Sequence, residues 1–177
     1  LHSSAAILRG QADKRGIAIS LGNFQDLPEI NADERAVKQI MINLISNAVK
    51  FSHDNGEVRI DAAQKGRSIE IDVADDGIGI SAEHLEKLGQ PFYQADSRYD
   101  RKYEGTGLGL SVVCGLVDLH HGKVGFRSGK DRGTRVKVTL PLAPPRQRPV
   151  PASEKVEIIR LREPLPATDL SSAKRSA

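Results

Sequence analysis

The chain has 177 residues, 38% hydrophobic and 28% charged, a balance that suits a globular domain and excludes collagen-like or wholly disordered chains. No apolar run approaches the roughly 18–20 residues of a membrane span. The single cysteine, Cys114, excludes an internal disulfide and a cysteine-rich zinc site, and it suits a reducing compartment. Residues 144–177 hold seven of the 26 basic and four of the 23 acidic residues, so the net charge of +3 lies there and residues 1–143 balance. A nucleic-acid partner would need a basic face on the folded part, and this count gives none. The start, Leu1-His2-Ser3, has neither an initiator Met nor a basic n-region, so we expect no signal peptide and a chain cut from a longer one.

Taken in chain order, residues 4–15 read as a helix stopped by Gly16. Ile17–Leu21 reads as a strand. Asp33 is a good N-cap for a long helix to about Phe51. Glu57–Asp61 and Ser68–Val73 alternate apolar and charged residues around a turn at Gln64–Arg67, which predicts a hairpin. Ser81 caps a short helix ending near Gly89, and a long helix follows Gly109. Lys123–Arg127 and Thr134–Leu140 predict a second hairpin. Hairpins with helices between them point to an α+β fold, a two-layer α/β sandwich. Its mixed sheet of about five strands would be covered on one face by about three helices. Six of the nine prolines fall between Pro144 and Pro166, so residues 1–143 read as the domain and residues 144–177 as a flexible basic tail. Within that tail Lys155–Arg162 could form a short strand or a docking peptide.

Three segments carry chemistry. On the helix after Asp33, Val37, Ile40, Met41, Leu44 and Ala48 share a stripe that packs on the sheet, while Asn43, Asn47 and Lys50 share another about 110° round. Two amides and an ammonium in a row suit a phosphate-borne Mg²⁺ and the phosphates themselves; the bland alternative is a solvated face. Asp75-Asp76-Gly77-Ile78-Gly79 follows a strand directly. Its glycines allow a tight turn against a flat ligand, and a carboxylate at a strand end can accept from an exocyclic amine; the bland alternative is a plain turn. Gly105-Thr106-Gly107-Leu108-Gly109 opens a helix, where backbone N–H groups favour an anion. Neither a P-loop nor a G-x-G-x-x-G fingerprint is present. The preceding Gln94–Tyr103, with Arg98, Arg101 and Lys102, reads as a polar lid or loop.

In order and context these segments resemble the catalytic ATP-binding domain of sensor histidine kinases, in the superfamily shared with DNA gyrase, mismatch-repair ATPases and a heat-shock chaperone. Asn43–Ser52 resembles the N box, Asp75–Ile80 the G1 box, Pro91-Phe92-Tyr93-Gln94 the F box and Gly105–Leu110 the G2 box, with Gly133-Thr134 as a last glycine motif. The resemblance implies that Asp75 accepts from the adenine amine with Thr134 nearby, that Phe51, Gly77 and Gly79 line the adenine pocket, and that Asn47 binds Mg²⁺ beside Asn43. It implies that Lys50 meets phosphate, with Lys50 and Asn43 at the catalytic centre. Gly105, Thr106, Gly107, Leu108 and Gly109 would wrap the phosphates, Arg101 or Lys102 would reach them from the lid, and Phe92 would act at its hinge.

Hydrolysing members of the superfamily have Glu four residues before the Mg²⁺-binding Asn. Here that position is Asn43, and an amide takes no proton from water. The expected activity is therefore transfer of the ATP γ-phosphate to a histidine on a separate, upstream dimerisation domain, through which the kinase would form a homodimer. Relay to a response regulator receiver domain would follow, in the cytoplasm and with no membrane contact by this fragment. None of His2, His53, His84, His120 and His121 fits the acceptor pattern. His53 reads as a turn residue, and His120 and His121 as helix-closing imidazoliums. The rivals are a nucleotide-binding regulatory module without kinase output and a standalone Mg²⁺-dependent ATPase.

Overall fold

The computed structural model describes residues 2–90, 93 and 107–143, all within one unit, Leu1–Pro145. The elements are α1 (His2–Asp13), β1 (Ala18–Leu21), α2 (Glu34–Phe51), β2 (Glu57–Lys65), β3 (Ser68–Asp75), α3 (Ala82–Leu85), α4 (Gly109–Leu119), β4 (Lys123–Ser128) and β5 (Thr134–Pro141). Five strands form one mixed sheet in the order β1-β2-β3-β5-β4. Only the β1–β2 pair is parallel. The α+β two-layer sandwich expected from the sequence is the fold.

Strand alternation decides the layers. On β3, Ile69, Ile71 and Val73 are buried, while Glu70 and Asp72 between them lie on the opposite face. Val58 and Ile60 on β2 and Val138 and Leu140 on β5 join the same core. The helices cover that face. The other face carries Lys137 bridged to Glu70 at 2.9 Å, a polar surface that needs no cover. Asp72 Oδ1 on that face is buried without a hydrogen-bond partner among the described residues.

Helix α2 is the centre of the helix layer, between α1 and α4. Its Asp33 cap accepts the N–H groups of Arg35 and Ala36, satisfying donors the first turn leaves open. The buried arc is wider than the stripe read from the sequence. Ile45 and Val49 are buried alongside Ile40, Met41, Leu44 and Ala48, and Val37 is only partly buried. A helix flanked on both sides by other helices buries more than its sheet-facing stripe. Burying side chains such as Met41 and Ile45 is worth about 1.5–3 kcal/mol each.

Two helices end alike. After α1, Gly16 takes φ +65°, the Ile17 N–H reaches the Ala12 carbonyl and the Gly16 N–H the Asp13 carbonyl. After α4, His121 takes φ +54°, and Gly122 and His121 donate to Val117 and Asp118 in the same pattern. His120 closes α4 as expected, and its ring reaches further. Its Nε2 accepts the Asp33 N–H at 3.1 Å, and its Nδ1 lies 2.7 Å from the Leu116 carbonyl. The ring is thus a strut between the end of α4 and the start of α2. Cys114, expected in the core, is half-buried against Gly89, and burial pushes its thiol up from the ordinary value. Ser81 precedes α3 as expected, but its side chain makes no cap bond.

Candidate functional site

The inward face of the sheet becomes polar at one end. The series Ile69, Ile71, Val73 continues at the same parity to Asp75, so the carboxylate points where the core residues point. In register beside it stands Thr134 on β5, and beside Thr134 stands Ser128 on β4. Asp75 Oδ1 accepts two backbone N–H groups, Gly77 at 3.0 Å and Thr134 at 3.1 Å. Its other oxygen takes no hydrogen bond among the described residues. Burial raises the Asp75 carboxyl from 3.8 to about 6, against the pull of those two amide donors. A half-satisfied, half-desolvated carboxylate is suited to accept a hydrogen bond from a ligand amine.

The loop after Asp75 is fastened on both sides. Ile78 N–H donates to the Phe51 carbonyl at 3.2 Å, and a Cβ on Gly77 would run into that same carbonyl. Gly79 has φ +66° and presses on the Gly129 carbonyl, which no side chain would allow. The turn between β4 and β5 closes over the loop: Asp131 N–H donates to Ile78 and Gly133 N–H to Gly77. Ser128 completes the corner, accepting the Ile80 N–H at 2.8 Å and lying 3.0 Å from the Thr134 hydroxyl. The sequence reading missed Ser128. The only sequence signal for it is its inward parity with Phe126 and Val124.

The amide row of α2 meets the glycine-led start of α4. Asn43 Nδ2 donates to the Gly109 carbonyl at 3.3 Å, and Asn43 Oδ1 accepts from Gln39. The Asn47 amide lies next to Gly109 and has no hydrogen-bond partner among the described residues. Leu108 at the head of α4 offers no side-chain cap, and among the described residues the first N–H groups of that helix have no capping partner. Gly107 sits just before it at φ +69°. Lys50 closes the row, its ammonium 4.8 Å from the Phe51 ring centre. Thus Asn43, Asn47, Lys50 and Phe51 lie along one helix, with Gly109, preceded by Gly107 and Leu108, against its middle and Gly77 at its end, close in the chain to Asp75, which pairs with Thr134. Arg101, Lys102, Gly105, Thr106 and Phe92 lie outside the described residues, as does Lys155–Arg162. Of the expected F box only Tyr93 is described, its hydroxyl 2.6 Å from His84 Nδ1.

Sheet order, helix layer and this corner together define a two-layer sandwich of the ATP-binding kind. The chain belongs to the histidine kinase-, DNA gyrase B- and HSP90-like ATPases, whose family model matches residues 32–144. A sensor-like histidine kinase of Rhizobium meliloti is 49% identical over 136 residues, 77% of this chain and 26% of that protein. The histidine protein kinase DivJ of Caulobacter vibrioides is 41% identical over 142 residues, 80% of this chain and 24% of that protein. Among solved structures, the catalytic domain of the histidine kinase ThkA is similar at TM-score 0.70 and 25% identity, over 81% of this chain and 90% of that one. Full-length ShkA in complex with AMPPNP reaches TM-score 0.71 at 30% identity, over 81% of this chain and 29% of that one. Within the family, the described residues form a catalytic ATP-binding domain of the histidine kinase type. The chain spans 17–26% of the length of the first three curated relatives.

Proposed function

We propose that this domain binds ATP with Mg²⁺ and transfers the γ-phosphate to a histidine on a separate dimerisation domain, for relay to a response regulator. The observation that carries the reading is the pairing of Asp75, with one carboxylate oxygen open, and the Asn43–Lys50 row packed on the uncapped start of α4. The first recognises a purine amine. The second offers neutral oxygens, an ammonium and helix N–H groups to a triphosphate.

The residues present fit a Mg²⁺ ion carried by the nucleotide. Asn47 has an unpaired amide oxygen, and no group of three or more His, Cys, Asp or Glu among the described residues forms a cage of its own. Bound there, the ion would neutralise charge on the phosphates. Lys50 would hold the phosphates as a point charge, and Arg101 or Lys102, with Gly105 and Thr106, would cover them. Asn43 would orient without abstracting a proton, since its amide is engaged with Gly109 and Gln39. Catalysis is then positioning and electrostatics on the transferring phosphoryl group, and the nucleophile arrives on another domain. The domain would work on the cytoplasmic side of its parent protein.

The test is transfer of label from γ-labelled ATP to an acceptor domain from this family. Mg²⁺-dependent labelling of the acceptor histidine supports the proposal. Tight binding without transfer would favour a regulatory module, and brisk phosphate release by the chain alone would favour a standalone ATPase.

A further inference from the structure

Arg15 stands outside all the motifs, two residues past α1, yet it reaches the C-terminus of α2. Its guanidinium donates to three carbonyls there: Val49 at 2.6 Å, Lys50 at 2.9 Å and Ser52 at 2.7 Å. Its Nε donates to Asp54 at 2.7 Å. Its own backbone carbonyl accepts the Asn55 N–H at 2.9 Å, and Gly16 beside it is pressed on Asn55. The side chain is mostly buried, 21% exposed, whereas Asp54 is 66% exposed. The carbonyl contacts, not the ion pair, are therefore the protected part of the arrangement.

A helix leaves its last carbonyls without intrahelical donors, and a guanidinium matches both their hydrogen-bond need and the negative end of the helix. The division of carbonyls matters here. Arg15 takes those of Val49, Lys50 and Ser52, and the one between, Phe51, is left to hold the Ile78 N–H and to seat Gly77. If the last turn of α2 frays, Lys50 and Phe51 lose their direction and the loop after Asp75 loses its anchor on the α2 side.

We propose that Arg15 is a positioning residue for the nucleotide site. It locks the final turn of α2 so that Lys50, Phe51 and, through the Phe51 carbonyl, the Asp75–Ile80 loop keep their places. The proposal rests on the ATP-binding reading above, and its role there is indirect, because Arg15 need not touch the nucleotide.

The experiment compares the whole chain with its Arg15→Ala and Arg15→Lys variants below their melting temperatures. ATP and GTP affinities are read by calorimetry, and amide exchange is read at Ile78 and at Ile71 in the sheet core. For Arg15→Ala we expect about tenfold weaker ATP binding, a smaller preference for ATP over GTP, and faster exchange at Ile78 with Ile71 unchanged. Arg15→Lys, which keeps the charge but not the fork, should fall between. It also serves as the test if Arg15→Ala does not fold. A purely structural residue would lower the melting temperature and speed Ile78 and Ile71 exchange alike, leaving the affinity of folded molecules unchanged; that result overturns the proposal. If the unaltered chain binds no ATP, the functional reading fails, while the Ile78 exchange still decides whether Arg15 holds the loop.

Discussion

Asp75 and Thr134 stand opposite each other on neighbouring strands, and the carboxylate of the first accepts the backbone N–H of the second at 3.1 Å. The contact joins positions 59 residues apart and ties the end of β3 to the β4–β5 turn. It occupies one carboxylate oxygen and leaves the other open.

The buried position of Asp75 makes stability depend on pH in an unusual direction. Its carboxyl is raised from 3.8 to about 6 in the folded state, chiefly by desolvation. Between those values the folded chain holds a proton that the unfolded chain has released. Stability contributed by this group is therefore present in full at low pH and falls as pH rises from about 4 to about 6. Asp75→Asn should remove that slope, a difference on the order of 1–3 kcal/mol across the window. Urea unfolding of both proteins at intervals from pH 4 to pH 7 measures it. Parallel curves would refute the assignment.

Ligand binding should show the opposite slope. A purine amine donating to Asp75 favours its charged form, so ATP affinity should drop as pH falls through about 6. Asp75→Asn should weaken ATP binding by about 1–3 kcal/mol, because an amide presents a donor where an acceptor is needed. GTP, which lacks that amine, should be far less affected. Calorimetric titration with both nucleotides at pH 5.5 and 7.5 separates these effects. An unchanged ATP affinity in the variant would exclude Asp75 from adenine recognition.

Asn47→Ala should act on the metal and not on the base. With its open amide oxygen removed, the gain in ADP or ATP affinity on adding Mg²⁺ should largely vanish, while adenosine binding should persist. Equal losses for adenosine and ADP would show that Asn47 shapes the pocket generally.

The glycine at 133 has no room for a side chain. It sits at φ +70°, and a Cβ would run into the Asp75 carbonyl oxygen. Gly133→Ala should cost well over the roughly 1–2 kcal/mol of left-handed backbone strain alone, and it should weaken ATP binding by moving Thr134 off Asp75. Gly129→Ala, where a Cβ meets only the flexible Arg132 side chain at 3.5 Å or more, should stay within about 0.5 kcal/mol of the parent. Thermal unfolding of the pair checks both, and equal melting temperatures would contradict this account.

Much of the architecture could be read locally because its causes are local. The Asp33 cap, the alternation from Ile69 to Val73 and the Gly16 stop each act within a few residues, and each marks the boundary it was expected to mark within a residue or two. The turn at Gly77 and Gly79 could be read for the same reason, although the carbonyls those glycines press on, Phe51 and Gly129, are distant in sequence. The long-range contacts of Arg15, Ser128 and His120 could not. Those contacts span 34–39, 48 and 87 residues, and no periodicity carries such pairings. Ile45 and Val49 were missed on the α2 stripe because burial there comes from neighbouring helices, not from the helix's own pattern.

The strand order has a consequence for how the domain comes into being. β2 and β3 form a hairpin across residues 65–68 and can pair as soon as both have left the ribosome. Their next neighbour, β5, emerges only after β4 and takes the place between β3 and β4. The corner around Asp75 is thus among the last parts of the sheet to close, and a nascent chain ending before residue 134 has the acid but not the amide that orients it. On the proposed function, nucleotide in the surrounding solution would meet a competent pocket only at that final step, and by mass action it would then work as a latch on the completed fold.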